Sequence, residues 1–314
     1  MTERHAGTVA VIAAEDLDGA LLRSLTAEFE RRGTVHHTET ADFSTGRAAV
    51  RAARWFLELA DSDDNFGTQL ISSLLDDAAE QISTATVTTT VLPAAQRPLD
   101  PALMLVMDVD STLIDQEVID LLAAHTGRAD EVAAVTERAM RGELDFAQSL
   151  HARVKALAGL NQNVLEETFR QLTLSPGARE LIGTWQRQQW PVYAVSGGFR
   201  QVLEPLAAEL GLTGFDANTL EIRDGLLTGS VTGEVVDRGV KRRRMLEWAA
   251  QHGLSVQNVV AVGDGANDLD MVTAAGTGVA FCAKPALAEQ ADMAIRHRSM
   301  ELIAYSLGLP PGPG

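Results

Sequence analysis

In the first hundred residues, stretches with a strand-like pattern of apolar residues alternate with stretches whose apolar residues have helical spacing. Apolar or β-branched runs, which predict strands, cover Thr8–Ala13, Trp55–Leu59 and Thr86–Leu92. Amphipathic spacing predicts helices over Ala20–Phe29 and Gln69–Ile82. The order of strand, helix, one or two strands, helix and strand is typical of a small α+β unit.

Prolines interrupt the chain directly after this unit. Pro93 and the stretch Gln96–Pro101 disfavour both helix interior and central strand, so we place a domain boundary there. We expect residues 1–97 to form the α+β unit and residues 98–309 to form a second domain. The Pro- and Gly-rich tail, 310–314, is predicted to be disordered.

Four continuous apolar runs in the second domain predict strands that are buried on both faces. They are Ala102–Met107, Val192–Val195, Val259–Val262 and Thr277–Phe281. Helical patterns separate them, and continuous rather than alternating strands between helices are typical of a parallel sheet covered on both sides. The predicted fold class is therefore α/β, with a doubly wound, Rossmann-like parallel sheet.

Two segments depart from a simple alternation of strands and helices. The stretch from about residue 114 to 182 is mostly helical and lies between the first two strands. It is too long for a single crossover helix, so we expect an inserted helical cap. Leu220–Arg223 and Leu226–Val231, joined by Asp224-Gly225, have the pattern of a β-hairpin.

Composition and charge restrict the possible partners. The 314 residues carry a formal charge of −17, which argues against a nucleic-acid partner and requires local positive charge at any site for an anion. Cys282 is the only cysteine, so no intrachain disulfide can form and a cytoplasmic location is expected. Met1–His5 lacks the order of a signal peptide, and no apolar run has the length of a bilayer span, so no membrane partner is expected.

Polar residues follow three of the predicted strands. Asp108–Thr112 follows the first, Ser196–Gly198 the second and Gly263–Asp268 the third. In an open α/β sheet, ligands bind beyond the carboxyl ends of the strands, so these segments are expected to meet in one crevice. Alternation along an extended chain directs Asp108 and Asp110 toward the same side.

The carboxylates in this crevice require a cation. Packed together they would repel one another and raise each other's pKa values: Asp108, Asp110, Asp264 and Asp268. Carboxylate oxygens without a nearby His or Cys suit Mg²⁺. We therefore expect a magnesium site.

Other kinds of site fit these residues less well. The Asp-x-Asp segment is not an EF-hand, because Leu113 occupies the glycine position and Ile119 the bidentate glutamate position. A dinucleotide site would need a glycine where Asp268 stands. Ser196 lacks the glycine two residues earlier that a hydrolase nucleophile elbow requires.

The motifs together resemble those of the haloacid dehalogenase superfamily of phosphatases, whose four motifs appear here in order. They are Asp108–Thr112, Ser196, Lys241 and Gly263–Asp268. Within the superfamily, Asp108–Glu117 resembles the first motif of the phosphoserine phosphatases, and Met140–Val154 resembles their cap-helix signature. The resemblance covers roughly residues 101–300. It departs at Arg242–Arg244, which carry more charge than the family usually has beside its lysine.

The resemblance implies hydrolysis of O-phospho-L-serine to serine and phosphate, the last step of serine biosynthesis, through an aspartyl-phosphate. It implies that Asp108 is the nucleophile and Asp110 the general acid and base. Mg²⁺ would be held by Asp108, the main-chain carbonyl of Asp110 and Asp264, with Asp268 in support. The phosphoryl group would be bound by further residues of the motifs: Ser196, Gly197, Lys241 and Asn267.

Two charged residues of the insert suit the amino-acid part of that substrate. Glu117 matches the ammonium, and Arg153 matches the carboxylate through paired hydrogen bonds that a lysine would provide poorly. We expect the insert to close over the substrate and exclude water.

Three alternatives remain open. The substrate could be another small phosphomonoester, or the phosphoryl group could pass to an acceptor alcohol. An inactive regulatory binding protein is the third, against which the intact set of Asp108, Asp110, Lys241 and Asp264 argues. The N-terminal unit resembles ACT-like regulatory domains in element order alone, which implies dimerisation or binding of an amino-acid effector such as serine.

Overall fold

The computed structural model describes residues 8–59, 64–82, 86–92, 102–141 and 143–309. The predicted boundary, Pro93 and Gln96–Pro101, and the predicted disordered tail, 310–314, lie outside these ranges. Among the residues described, no helix combines the length and the apolar character that crossing a bilayer requires.

The N-terminal unit has the predicted element order. Its strands are β1 (Thr8–Ala14), β2 (Gly33–Ser44), β3 (Ala49–Leu59) and β4 (Thr88–Leu92), and its helices are α1 (Gly19–Glu30) and α2 (Asp64–Glu80). The sheet is antiparallel in the order β2-β3-β1-β4. This βαββαβ arrangement is ferredoxin-like. The apolar pattern did not locate β2, because β2 is an edge strand whose side chains are mostly polar and solvent-facing.

Strand β1 is continuously apolar because both faces of the small sheet are covered. Ala10 and Ile12 pack against the face that carries α1 and α2. Val9 and Val11 point the opposite way and join the main apolar core of the second domain. The two predicted domains therefore share one hydrophobic core.

The second domain is built on a seven-stranded sheet in the order β11-β10-β9-β5-β6-β7-β8. Its strands are β5 (Met104–Met107), β6 (Val192–Phe199), β7 (Gly214–Arg223), β8 (Leu226–Thr232), β9 (Val259–Gly263), β10 (Thr277–Phe281) and β11 (Met293–Ile295). All neighbouring strands pair in parallel except β7 and β8. The four predicted runs correspond to β5, β6, β9 and β10, which confirms the doubly wound α/β fold.

Both faces of this sheet are buried under helices. Along β5, Leu105 and Met107 join one apolar cluster, whereas Met104 and Val106 join another on the opposite face. The helices after β6 are α8 (Arg200–Leu210), α9 (Arg238–Gln251), α10 (Leu269–Ala274), α11 (Pro285–Ala288) and α12 (Glu301–Ser306).

The segment between β5 and β6 is helical, as predicted. Its helices are α3 (Val118–Ala124), α4 (Ala129–Met140), α5 (Phe146–Lys155), α6 (Asn163–Arg170) and α7 (Ala178–Arg187). Helix α7 contacts β6 and α12, and its Leu181 and Trp185 are fully buried. The end of the predicted insert, 178–182, therefore belongs to the helices that cover the sheet. An amphipathic pattern cannot show which apolar surface a helix will pack against.

Strands β7 and β8 form the predicted hairpin, which is hydrogen-bonded to the insert. Asp224 and Gly225 both have positive φ, 50° and 78°, as a type I′ turn requires. Strand β8 lies against α5. Main-chain bonds from Gly159 N to Leu227 O and from Leu227 N to Leu160 O, each 2.8 Å long, join the hairpin to the insert.

Candidate active site

The site begins where the direction of the sheet connections reverses. Strand β5 lies between β9 and β6, so the crossovers leave it on opposite sides and open a crevice at its carboxyl end. Asp108 is the first residue past β5, and its N–H donates to Val262 O of β9 at 2.9 Å. The ladder thus fixes the backbone of Asp108 at the crevice.

A buried lysine bridges two aspartates behind this crevice. Lys241 Nζ donates to Asp108 Oδ1 at 2.6 Å and to Asp268 Oδ1 at 2.7 Å. Burial alone would lower the pKa of Lys241, but the two carboxylates outweigh burial and raise that pKa above its usual value. Burial, with a further contribution from Asp268, raises the pKa of Asp108, and Lys241 offsets part of that rise.

Lys241 lies on α9 in a run of basic residues, and the helix directs its side chain to the site. Asp237 caps the N-terminus of the helix, and its carboxylate accepts the N–H of Val240 at 2.9 Å. Lys241 is fully buried, whereas Arg243 pairs with Glu234 and Arg244 with Asp216 outside the site. Two of the additional charges that set this stretch apart from the family pattern, Arg243 and Arg244, therefore form ion pairs away from the crevice.

Three carboxylates form a compact group that suits a divalent cation. Asp108, Asp264 and Asp268 each place an oxygen within 4.8 Å of the others. Burial, followed by the charge of Asp268, raises the pKa of Asp264 to about 6. One lysine cannot neutralise three carboxylates, so the group retains an excess of negative charge that a cation such as Mg²⁺ would balance.

Asp268 has a supporting place in this group. Its Oδ2 accepts the N–H groups of Gly265 at 3.0 Å and Asp264 at 3.2 Å, and its Oδ1 receives Lys241. Both of its oxygens are thus engaged by the protein, and they fix the turn that carries Asp264.

The carboxylate of Asp110 lies apart from the metal group and is fixed by other bonds. Its Oδ1 accepts the N–H of Val118 at 2.7 Å and its Oδ2 accepts the hydroxyl of Ser196 at 2.9 Å. Burial raises the pKa of Asp110, and these two hydrogen bonds offset part of the rise. An aspartate whose pKa is raised can hold a proton for a leaving group.

The end of β6 approaches Asp110 so closely that only glycine fits. The strand extends through Ser196, Gly197 and Gly198, which the sequence placed after it. A Cβ atom at Gly198 would lie 2.6 Å from Asp110 Oδ2, and one at Gly197 would lie 2.8 Å from the ring of Phe146. Phe146 begins α5, so the insert packs directly on the strand end.

One cavity of about 580 Å³ joins the core and the insert. Most of the predicted site residues line it: Asp108, Asp110, Glu117, Arg153, Gly197, Asp264 and Asn267. The remaining three, Ser196, Lys241 and Asp268, are buried and hydrogen-bond to the lining aspartates. The structure therefore brings all the predicted residues to one place.

Glu117 and Arg153 are the charged groups that the insert contributes. Ser111 Oγ donates to Glu117 Oε1 at 2.7 Å. The surrounding protein raises the pKa of Glu117 to about 7, mainly by burial and next through Asp110. Burial lowers the pKa of Arg153, whose Nε donates to Ser149 O at 3.4 Å, and among the described residues no carboxylate forms an ion pair with it.

Among the cavity residues that the sequence analysis did not select, Asp120 and Lys284 each carried a signal. Asp120 lies three residues after Glu117, which places it on the same face of α3. Lys284 follows β10, so the rule that chemistry collects beyond strand ends applies to it, and its N–H donates to Asp264 O at 3.0 Å.

Comparisons with known proteins agree with this geometry. A family model of haloacid dehalogenase-like hydrolases matches residues 105–273. A curated phosphoserine phosphatase of Streptomyces coelicolor is 55% identical over 206 residues, which are 66% of this chain and 50% of that protein. The chain thus spans half the length of that relative.

Two solved structures are similar over different shares of the chain. A probable phosphoserine phosphatase from Vibrio cholerae, in unliganded form, matches 98% of this chain and 89% of its own, with a TM-score of 0.73 and 33% identity. A phospho-aspartyl intermediate analogue of phosphoserine phosphatase matches 66% of this chain and 99% of its own, with a TM-score of 0.62 and 39% identity. The former likeness extends through the N-terminal unit.

Proposed function

Because this chain belongs to the haloacid dehalogenase-like hydrolases, and among them to the phosphoserine phosphatase family, we propose that it hydrolyses O-phospho-L-serine in the last step of serine biosynthesis. The observation that carries the proposal is the pairing of two aspartates in different settings at one strand end. Asp108 accepts a hydrogen bond from the ammonium of the buried Lys241, whereas Asp110, beside the same cavity, accepts hydrogen bonds from the neutral Val118 amide and Ser196 hydroxyl.

Asp108 acts as the nucleophile in this proposal. Its Oδ1 is engaged by Lys241, and its other carboxylate oxygen attacks phosphorus to form an aspartyl-phosphate. The bond between phosphorus and the serine oxygen breaks, and Asp110 donates a proton to that oxygen. Asp110 then takes a proton from water as the water attacks phosphorus and releases Asp108.

The residues present fit Mg²⁺. Asp108 and Asp264 would hold it together with the main-chain carbonyl of Asp110, and Asp268 would orient Asp264. When bound, the ion supplies positive charge that draws electrons from the phosphoryl oxygens.

Lys241, Asn267 and the amide of Gly197 bind the phosphoryl oxygens in the proposal. The ammonium of Lys241 is permanently charged between Asp108 and Asp268, and so supplies the local positive charge that a net charge of −17 otherwise denies an anion. The hydroxyl of Ser196, which here donates to Asp110, would turn to the phosphoryl group when Asp110 is protonated.

Recognition of serine rests on the insert. Glu117 binds the substrate ammonium, and the guanidinium of Arg153 binds the substrate carboxylate. Phe146, which packs on Gly197, closes the insert over the core and keeps water from the phosphoryl group until transfer is complete.

A comparison of esters tests this function. Phosphate release is measured from O-phospho-L-serine, phosphothreonine, phosphoethanolamine and an aryl phosphate, with Mg²⁺ and with a chelator. We expect a strong preference for phosphoserine that the chelator abolishes. Preference for another ester would overturn the substrate. Serine released in excess of phosphate when an acceptor alcohol is added would show a phosphotransferase.

We further propose that residues 1–97 mediate homodimerisation or bind an amino-acid effector such as serine, in a cytoplasmic protein. The βαββαβ order supports an ACT-like unit, and the single cysteine, Cys282, supports a reducing compartment. Light scattering during size-exclusion, repeated with serine, tests the assembly. A monomer whose activity and mass serine leaves unchanged would contradict both roles.

A further inference from the structure

We propose that Arg298 is a positioning residue for the segment Asp108–Asp115, which we call the catalytic loop. Arg298 follows β11 and reaches the loop with all three guanidinium nitrogens. Nε donates to Asp115 Oδ1 at 2.7 Å, Nη1 to Ser111 O at 3.2 Å and Nη2 to Ile114 O at 3.2 Å. The inference rests on the proposed function, because it assigns a role in the same reaction.

The carbonyl that Arg298 binds belongs to a strained residue. Ser111 has a φ of 57°, in the left-handed region that residues other than glycine rarely adopt. Such a conformation persists only where several contacts hold it. Besides Arg298, the Ser111 N–H donates to Gln116 O at 3.2 Å, and the Ser111 hydroxyl donates to Glu117. A shift of Ser111 would therefore move the group that binds the substrate ammonium.

Arg298 also holds the catalytic loop through a second residue. Its Nη2 donates to Ser175 Oγ at 3.0 Å, and Ser175 Oγ donates to Thr112 O at 2.5 Å. Thr112 in turn donates its hydroxyl to Asp264 Oδ1 at 3.4 Å. Arg298 thus contacts, directly or through Ser175, the part of the loop that joins the nucleophile to the metal group.

Arg298 forms these hydrogen bonds from outside the catalytic cavity. It lies in a separate cleft between the two domains, which Arg47 and Arg296 also line. Among the described residues it forms no hydrogen bond with Asp108 or Asp110, and it holds the loop through main-chain carbonyls and through Asp115 and Ser175. The planar fork of an arginine serves these acceptors at once, and a lysine ammonium cannot reach them in the same way.

The segment that carries Arg298 is held from the N-terminal unit. Thr88 of β4 accepts the N–H of Arg296 at 3.0 Å and lies 2.9 Å from Nδ1 of the buried His297. Burial lowers the pKa of His297, which keeps the ring neutral and lets Nδ1 accept the threonine hydroxyl. The small sheet and the catalytic loop are thereby joined through three consecutive residues.

Kinetics of Arg298→Ala and Arg298→Lys test this role, with Arg296→Ala as the matched control on the same segment. The Arg296 side chain is exposed and, among the described residues, forms no hydrogen bond or ion pair with the loop. We expect Arg298→Ala to lose about 10- to 100-fold in kcat/KM, more with phosphoserine than with an aryl phosphate, because Glu117 moves with Ser111. Millimolar guanidinium should restore part of the activity of Arg298→Ala, and Arg298→Lys should stay impaired.

Magnesium affinity provides a readout that does not depend on turnover. Calorimetric titration of Mg²⁺ should show weaker binding to Arg298→Ala by about tenfold and unchanged binding to Arg296→Ala. The inference is overturned if Arg298→Ala keeps kcat/KM and Mg²⁺ affinity within about twofold of the parent protein. It is equally overturned if the loss follows only the unfolded fraction and guanidinium restores nothing. If the parent protein cleaves the aryl ester but not phosphoserine, the proposed substrate is wrong. The effect of the Arg298 variants can then still be measured with the aryl ester.

Discussion

At the scale of single residues, two aspartates two positions apart acquire different chemistry from their surroundings. Burial and Asp268 raise the pKa of Asp108, but the ammonium of Lys241 donates to it, and a cation held by Asp108 and Asp264 would also favour its ionised form. Burial also raises the pKa of Asp110, but among the described residues its hydrogen-bond donors are neutral, the amide of Val118 and the hydroxyl of Ser196, so no cation is paired with it. Environment rather than residue type thus separates the nucleophile from the acid.

Glu117 gives a prediction about pH. Its pKa is raised to about 7, so lowering the pH below that value protonates the carboxylate and removes its attraction for the substrate ammonium. We expect the ratio of kcat/KM for phosphoserine to kcat/KM for an aryl phosphate to rise as pH increases through about 7. The ratio removes the ionisations of the phosphate and of the catalytic aspartates, which both esters share.

Glu117→Gln is the matching variant. It should lower kcat/KM for phosphoserine by about 10- to 100-fold, leave the aryl ester nearly unchanged and abolish the pH dependence of the ratio. A ratio that stays constant with pH in the parent protein, or an equal loss on both esters, would contradict the assignment of Glu117 to the ammonium.

At the scale of elements, the sequence predicted what local patterns determine. Continuous apolar runs gave β5, β6, β9 and β10, and the Asp224-Gly225 pair gave the hairpin, because period and turn chemistry are local properties. The extension of β6 through Ser196–Gly198 could not be predicted in this way. Glycines weaken a strand in isolation, and only the neighbouring Asp110 and Phe146 show why they are needed.

The contact of α5 with β6 gives a prediction about Gly197. A Cβ atom there would lie 2.8 Å from the ring of Phe146, so Gly197→Ala should displace the start of α5 and open the cavity. We expect kcat/KM for phosphoserine to fall by about tenfold or more. The double variant Gly197→Ala with Phe146→Leu should recover part of this loss, because the smaller side chain leaves room for the methyl group.

Gly183→Ala controls for the added methyl group. Gly183 lies in α7, and a Cβ atom there would meet only the flexible end of Arg187, at 3.3 Å. This variant should keep full activity. If the losses of kcat/KM in the Gly197 and Phe146 double variant are additive, the two residues do not pack against each other as the structure places them.

At the scale of the whole molecule, the two domains behave as one packed body. Besides the shared core, Arg54 of β3 donates to Tyr305 O at 2.9 Å and to Leu309 O at 2.8 Å, and it pairs with Glu39. These contacts join residues about 250 positions apart in the sequence. The contacts of Arg298 with the catalytic loop and of Thr88 with Arg296 and His297 also join residues that are far apart in the sequence, so no local pattern could have predicted them. The acidic strand ends were predictable because topology alone brings them together.

The Arg54 contacts predict how strongly the domains depend on each other. The Arg54 side chain is only 3% exposed, so Arg54→Ala leaves buried carbonyls and Glu39 without their donor. The free energy of unfolding, measured with urea, should fall by about 3–5 kcal/mol. Arg51 lies on the same strand as Arg54, β3, and forms an exposed ion pair with Asp42 of β2. Arg51→Ala should have no measurable effect on the free energy of unfolding. If the two variants lower the free energy of unfolding equally, the contacts of Arg54 with the second domain do not contribute to stability.

The central claim is that Asp108 attacks phosphorus, and one comparison tests it most directly. Phosphate release from O-phospho-L-serine is measured with Mg²⁺ for the parent protein and for Asp108→Asn, which keeps the shape of the side chain but removes its nucleophilic charge. We expect the parent protein to turn over and the variant to lose more than about a thousandfold in kcat. An Asp108→Asn protein that retained kcat within about tenfold of the parent would contradict the account.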